Sequence, residues 1–135
     1  MAGRYGMTFA AKLIQEGKYA EAVEEASRAV ARDDEDPAAL VDRANAYAWL
    51  ERYPDAVRDL EAALALDETA GVLETDVVDD AYFSALLGAA KVEARTSLAA
   101  ATETLARYET IQPGGRHRAD AAAWPDRLRT ASAGT

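Results

Sequence analysis

Two stretches of this sequence repeat each other at a fixed interval and decide the fold. Residues 15–30 read QEGKYAEAVEEASRAV, and residues 50–64 read LERYPDAVRDLEAAL. Four pairs align without gaps at one constant separation, which we call the repeat period: Tyr19 with Tyr53, Ala22 with Ala56, Ala29 with Ala63, and Val30 with Leu64. Small residues let two helix backbones approach, while Val, Leu and Tyr at spacings of three and four fill the seam. The repeat period therefore predicts a repeated pair of antiparallel helices.

This period resembles that of the tetratricopeptide repeat (TPR) family, whose unit is a helix–turn–helix of about 34 residues. The resemblance assigns repeat one to about residues 3–36 and repeat two to about residues 37–70. It implies close helix crossings at six alanines: Ala10, Ala22, Ala29, Ala44, Ala56 and Ala63. Tyr47 stands at the family's first-helix aromatic position, whereas Gly6 and Leu40 replace the family's leading Trp.

The period breaks after residue 67. Residues 67–80 hold six acidic and no basic side chains, and this composition favours an acidic loop over about 67–78. Thr75 or Asp76 is expected to cap the next helix. Residues 79–112 then resemble a degenerate third repeat, whose second helix has an apolar face at Leu98, Ala101, Leu105 and Tyr108. The Pro-Gly-Gly sequence at 113–115 is expected to end that helix.

The C-terminal segment, about residues 116–131, is predicted to be a capping helix, because the last repeat of a solenoid exposes an apolar face. Trp124 is its expected anchor, and Pro125 suits the first turn of a short helix. Alanine, the strongest helix former, supplies 33 of the 135 residues. We therefore predict one all-α domain over residues 1–135. Its expected form is a right-handed α-α superhelix, a TPR-like solenoid of antiparallel helix pairs.

Composition excludes several functions. The chain has 15 Lys and Arg residues against 24 Asp and Glu residues, a formal net charge of −9, which argues against binding nucleic acid or an anionic membrane surface. It has no Cys and one His, so thiolate chemistry and clusters of His ligands are excluded. The acidic run at 33–36 lacks the spacing of a calcium loop and is interpreted as a turn that caps the helix beginning at Pro37.

Catalysis has no support in the sequence. His117 follows the Pro-Gly-Gly turn and is interpreted as an exposed loop histidine, and no catalytic motif is found. We expect no enzyme activity, no cofactor and no metal site. The longest charge-free run, Ala81–Ala90, is too short to span a membrane. No signal-peptide pattern is seen, so a cytoplasmic location is expected.

The TPR resemblance also implies a binding surface, because first-helix positions in that family line a concave groove that holds peptides. The matching residues are Met7, Ala11 and Ile14 in repeat one, Val41, Asn45, Ala48 and Trp49 in repeat two, and Tyr82, Ala85, Ala89 and Glu93 in the degenerate repeat. The partner-binding candidates are Met7, Ala11, Val41, Asn45, Trp49 and Tyr82. Trp49 is interpreted as an anchor, since Trp is enriched at hot spots. Packing at the helix end is the alternative for Trp49, and core packing is the alternative for Tyr82.

The family's basic clamp for a C-terminal carboxylate, used by chaperone-binding members, is not reproduced. Most of its positions are occupied by Met7, Ala11, Asp42, Tyr82 and Leu86. The resemblance therefore implies a hydrophobic or amphipathic peptide ligand and not a chaperone tail.

Charge is concentrated in the middle of the chain. Residues 33–80 carry fifteen acidic and three basic side chains, whereas residues 1–32 sum to +1 and residues 81–135 to +2. The acidic block predicts a partner with a basic segment, or simply keeps the protein in solution. The favoured function is a non-catalytic adaptor that binds a peptide or helix segment of another protein. A structural homo-oligomerisation module and a regulatory subunit of a larger complex remain alternatives.

Overall fold

The chain folds into helices joined by short turns. A computed structural model describes residues 7–133, and this range contains seven helices and no strand. We number them α1 to α7: Phe9–Gln15, Tyr19–Arg32, Pro37–Trp49, Tyr53–Ala70, Thr75–Glu93, Leu98–Ile111 and Arg118–Ala133. Two compact units divide between Glu74 and Thr75, with α1–α4 in the first unit and α5–α7 in the second. The assignment of the whole chain to a single TPR-like domain stays a prediction.

The first unit shows the predicted period directly. Helix α2 begins at Tyr19 and α4 begins at Tyr53, while α1 ends at Gln15 and α3 ends at Trp49. Both separations equal the repeat period of the aligned sequences. Consecutive helices pack on one another, and α1 also contacts α3. The first unit is therefore two antiparallel helix pairs, one per predicted repeat.

Alanines lie where these helices pack. Five of the six predicted crossing residues are buried: Ala10, Ala22, Ala44, Ala56 and Ala63. The sixth, Ala29, is partly exposed. Ala22 and Ala56 are each 0% exposed, and at such tightly packed positions a larger side chain forces the helices apart. Leucines, including Leu13, Leu40 and Leu60, complete the core of this unit.

The turns inside the two repeats share an unusual backbone position. Gly17 has φ +77° and Glu51 has φ +59°, and the two residues are one repeat period apart. Gly adopts this left-handed conformation at no steric cost, whereas a residue with a Cβ atom is strained in it. Repeat two therefore carries strain at the position where repeat one has glycine.

The acidic run before α3 caps that helix, as predicted. The Asp36 carboxylate accepts a hydrogen bond from the backbone N–H of Ala38 at 3.0 Å, and Pro37 is the first helical residue. Both features are typical of a helix N-terminus, where backbone N–H groups lack partners within the helix.

The second acidic stretch is more helical than the predicted loop over 67–78. Helix α4 continues to Ala70 and α5 begins at Thr75, so the connection is short. The Asp67 carboxylate accepts hydrogen bonds at 2.7 and 3.0 Å from two backbone N–H groups of that connection. Asp76 lies in the first turn of α5, where the helix dipole favours negative charge. These roles let acidic residues occupy helix ends, and the loop prediction is corrected accordingly.

The second unit is a helix pair covered by a third helix. Helices α5 and α6 pack together, and α7 packs mainly on α6. On the predicted face of α6, Leu98 is partly buried, whereas three residues are buried: Ala101, Leu105 and Tyr108. Helix α6 ends at Ile111, just before the Pro-Gly-Gly sequence, as predicted.

Helix α7 covers most of the predicted capping segment, but Pro125 does not lie in its first turn. It spans Arg118–Ala133 with Pro125 in its interior, although proline removes a backbone hydrogen bond and usually kinks a helix. Ala121 and Leu128 are both buried, one on each side of the proline, and their packing stabilises the helix across it. Trp124 packs against the core cluster of this unit, as expected of an anchor.

Candidate partner-binding surface

Five of the six predicted partner-binding residues lie on or next to α1 and α3, and we call them the α1/α3 surface: Met7, Ala11, Val41, Asn45 and Trp49. One hydrogen bond sets how the two helices are aligned. Thr8 Oγ1 donates to Asp42 Oδ2 at 2.7 Å, and these two residues are one repeat period apart. Met7 and Val41 directly precede this bonded pair and share its separation. The bond therefore places equivalent positions of the two repeats side by side.

The side chains of this surface are accessible to different extents. Met7 is 45% exposed and Trp49 is 62% exposed, whereas Ala11, Val41 and Asn45 are partly buried. The surface thus combines two large exposed apolar side chains with small and polar neighbours. This composition suits an amphipathic ligand.

Trp49 is both packed and accessible. It is the last residue of α3, and its ring stacks on that of Tyr19, the first residue of α2, with centroids 5.2 Å apart and planes 1° apart. The two sequence alternatives, anchor and helix-end packing, are therefore compatible. A ring that is already held by stacking loses less conformational entropy when it binds a partner.

Carboxylates also lie close to α1 and α3, in a cavity that none of the five residues of the α1/α3 surface lines. Burial raises the pKa of the Asp42 carboxyl above its usual value, while the hydrogen bond from Thr8 lowers it and the nearby Asp36 raises it further. Both carboxylates line a cavity of about 310 Å³ that also includes Phe9, which is 58% exposed. An apolar or cationic group suits this environment better than an anion.

Phe9 was missed by the sequence interpretation, although the alignment contains a signal. The equivalent position in repeat two is Arg43, whose guanidinium donates to both oxygens of the buried Asp59 at 2.8 and 2.9 Å. Phe9 cannot form such a pair, and Glu25 stands where Asp59 would be. The signal in the alignment is therefore an apolar residue, Phe9, at a position where repeat two has the ion-paired Arg43.

Tyr82 requires a correction. Its side chain is 0% exposed and stacks on Tyr108 with centroids 6.1 Å apart. Two of its predicted companions, Ala85 and Ala89, are also buried. Tyr82 belongs to the core of the second unit because the apolar side of α5 packs against α6, and we leave it out of the binding surface.

A buried polar network in the second unit was not predicted. Tyr108 Oη donates to the Asp79 carboxylate, 2.7 and 2.8 Å from its two oxygens, and accepts from the backbone N–H of His117 at 3.0 Å. Gln112 Nε2 also donates to Asp79, at 3.0 Å. Burial, reinforced by the hydrogen bond to Asp79, raises the pKa of Tyr108 to about 12. The network ties the segment after α6 to the start of α5.

His117 is ordered and not a free loop residue, so that interpretation is corrected. Its ring stacks on Phe83 at 4.5 Å, and Nε2 lies 2.6 Å from Asp80 Oδ1. Arg116 also donates to Asp80. The hydrogen bonds from Arg116 and His117 hold the pKa of the Asp80 carboxyl below its usual value.

Three residues of this region could offer ligands to a metal ion. Atoms of Asp79, Asp80 and His117 lie within 4.8 Å of one another. Each of the three already has protein partners: Tyr108 and Gln112 for Asp79, Arg116 and His117 for Asp80, and Asp80 and Phe83 for His117. The described geometry is therefore that of a structural polar network.

Solved structures with a similar fold are TPR domains. The second TPR domain of the human RPAP3 protein, solved by NMR in complex with the HSP70 peptide SGPTIEEVD, matches with a TM-score of 0.58 at 21% identity, over 87% of this chain and 88% of that one. The first TPR domain of human RPAP3, also solved by NMR, matches with a TM-score of 0.59 at 19% identity, over 93% and 91% of the two chains. No family model and no curated protein matches the sequence. The chain has the TPR fold, which confirms the all-α helical-repeat prediction.

None of the helices in the described part of the chain is long and apolar enough to cross a membrane.

Proposed function

We propose that this chain is a non-catalytic protein-interaction module that binds a peptide or helix segment of a partner on the α1/α3 surface. The observation that carries the proposal is the indole of Trp49, 62% exposed and stacked on Tyr19. The TPR fold supports the same function, since the similar second TPR domain of human RPAP3 was solved with a bound peptide.

The proposed ligand is amphipathic, with an apolar side chain and at least one Lys or Arg. Trp49 and Met7 offer apolar contact area, and Asp36 and Asp42 offer carboxylates close to the exposed Phe9. The acidic block at 33–80 would also attract a basic segment over a longer range. We do not transfer the HSP70 peptide to this surface, because its acidic side chains would meet carboxylates.

A non-catalytic role agrees with the engagement of the one histidine in the sequence. His117 is stacked on Phe83 and hydrogen-bonded to Asp80, so its ring contributes to the structure of the second unit.

The test begins with a random peptide library displayed on phage and selected on the wild-type protein. Selected sequences should combine a bulky apolar residue with Lys or Arg. Isothermal titration then compares the wild type with Trp49→Ala and Asn45→Arg. Loss of a hot-spot side chain typically costs about 2 kcal/mol or more, so Trp49→Ala should weaken binding about 30-fold. Asn45→Arg should also weaken it, because the new cation crowds the surface and repels a basic ligand.

The controls separate binding from folding. Val92→Ala changes a side chain that is 47% exposed in the second unit, and it should leave affinity unchanged. The melting temperatures of both surface variants should stay close to that of the wild type. Unchanged affinity in both variants would show that the α1/α3 surface is not used. A mass that rises with concentration and that Trp49→Ala abolishes would favour homo-oligomerisation, whereas an obligate partner of fixed stoichiometry would favour a regulatory subunit.

A further inference from the structure

A second surface has the opposite charge character. A cavity of about 560 Å³ lies between the C-terminal end of α5 and helix α7. Three cationic side chains line it, together with apolar and small residues: Lys91, Arg95 and Arg127, with Trp124, Leu128 and two alanines. None of the acidic residues that the structure describes lines this cavity, although the chain as a whole has a net charge of −9.

The cations around the cavity are weakly neutralised. Arg127 lies 3.9 Å from Asp120, whereas within residues 7–131 neither Lys91 nor Arg95 forms an ion pair with a carboxylate. Glu93 is close in sequence to both, but its carboxylate accepts a hydrogen bond from Thr104 at 2.6 Å. The positive charges of Lys91 and Arg95 are therefore available to a ligand, although the protein as a whole is acidic.

The same cavity has an apolar floor that is fixed by the core. Two cations lie near the Trp124 ring: Lys91 Nζ is 4.9 Å and Arg127 Cζ is 5.2 Å from its centroid. It packs against the cluster that contains the buried Leu128 and Leu105. Because the indole is held from the core side and flanked by cations, it presents a preformed apolar site with positive charge around it. The cavity therefore combines two kinds of recognition. Lys and Arg recognise carboxylates, and Trp recognises an apolar side chain.

We propose that this cavity binds an acidic peptide segment of a partner protein, in which a bulky apolar side chain is flanked by Asp or Glu. The apolar side chain would contact Trp124, and the carboxylates would pair with Lys91, Arg95 and Arg127. The choice of ligand follows from charge complementarity. A second copy of the chain is a less suitable occupant because two chains of net charge −9 repel each other. This site is independent of the one on the α1/α3 surface.

The test uses a synthetic peptide, GEEFEEG, blocked at both termini, and the Trp49→Phe variant. In that variant Trp124 is the one remaining tryptophan, so its fluorescence reports this cavity alone. We expect a saturable change with GEEFEEG, and none with the charge-reversed GKKFKKG or with GEEGEEG, which lacks the apolar side chain. Raising NaCl from about 0.05 M to about 0.5 M should weaken binding, since salt screens exposed charges.

A matched pair of variants tests the assignment to these cations. Lys91→Glu with Arg95→Glu should weaken binding about tenfold or more, because charge pairs become repulsive. Arg129→Glu also reverses a charge on α7, but Arg129 pairs with Asp126 at 2.6 Å and does not line the cavity, so it should bind like the parent. Because Lys91, Arg95 and Arg129 are all exposed, helicity should be retained.

Three results would overturn the proposal. The first is equal binding of GEEFEEG and GKKFKKG, and the second is equal loss in Arg129→Glu and in the double variant. The third is a mass that rises with protein concentration without peptide and that Lys91→Glu with Arg95→Glu abolishes, which would assign the cavity to a second copy of the chain. The salt series uses Trp49→Phe without any change at the cavity, so it tests the proposal even if the double variant unfolds. Failure here leaves the α1/α3 proposal intact, since that proposal depends on Trp49.

Discussion

The two units of this protein secure their helices by different means. In the first unit, alanines such as Ala22 and Ala56 are completely buried at equivalent positions of the two repeats, and this close fit is supplemented by the ion pair of Arg43 with the buried Asp59. In the second unit, the buried Tyr108 is hydrogen-bonded to Asp79 and to the backbone of His117. Close fit recurs with the repeat and is visible in the sequence. The polar network occurs once and has no periodic signal.

This contrast predicts that different substitutions destabilise the two units. Each unit contains one tryptophan whose fluorescence can report its unfolding. Trp49 lies in the first unit and Trp124 in the second. With Trp124→Phe as background, fluorescence follows the first unit, and with Trp49→Phe it follows the second. Urea unfolding of each background therefore measures the two units separately.

The largest effect is expected for Ala56→Arg in the first unit. Ala56 is 0% exposed, so a long charged side chain must either separate α4 from its neighbours or lose its hydration. We expect a loss of more than about 4 kcal/mol in the free energy of unfolding, seen as an unfolded Trp49 signal without urea. Ala62→Arg, on the exposed side of the same helix, should fold normally. A stable Ala56→Arg variant would contradict the repeat alignment.

A single added methyl group, in Gly115→Ala, should destabilise the second unit. A Cβ atom at residue 115 would overlap Tyr108 Oη, and that hydroxyl cannot move aside because it is buried between Asp79 and the chain. Gly115→Ala should therefore cost about 1–3 kcal/mol, as overpacking typically does, measured by Trp124 fluorescence. In a Tyr108→Phe background, which removes the hydroxyl, the same change should cost less. Equal costs in the two backgrounds would show that the strain does not come from the hydroxyl, because the ring carbon Cζ next to the Cβ position remains in Tyr108→Phe.

The two units should also differ at alkaline pH. Burial and the hydrogen bond to Asp79 raise the pKa of Tyr108 from 10.0 to about 12. The unfolded chain releases this proton at lower pH than the folded chain, so the stabilising contribution is complete below pH 10 and is lost as pH rises towards about 12. Urea midpoints followed by Trp124 should fall over this range, and Tyr108→Phe should remove this part of the fall. Parallel pH profiles for the two proteins would rule out a titrating Tyr108.

The same contrast explains what the sequence could predict. The sequence predicts that helices begin at Tyr19 and Tyr53 and that the alanines are buried, because the same steric fit occurs in both repeats. The exposed Trp49 follows from its position in repeat two. The partners of Asp79 and Asp80 could not be predicted, because they depend on how the chain returns after the Pro-Gly-Gly turn. Burial of Tyr82 likewise depends on which side of α5 packs against α6.

The smallest expected effect concerns one backbone position at which the two repeats of the first unit have different residues. Glu51 has a left-handed backbone, φ +59°, at the position where repeat one has Gly17 at φ +77°. This conformation costs a residue with a Cβ atom about 1–2 kcal/mol. Replacing Glu51 by glycine removes that cost, but the greater freedom of glycine in the unfolded chain offsets part of the gain. Glu51→Gly should therefore stabilise the first unit by about 0.5–1 kcal/mol, and Gly17→Glu should destabilise it by a similar amount. Urea midpoints followed by Trp49 measure both changes. Opposite shifts would show that the two turns are equivalent, whereas a destabilising Glu51→Gly would show that Glu51 contributes contacts that outweigh its backbone strain.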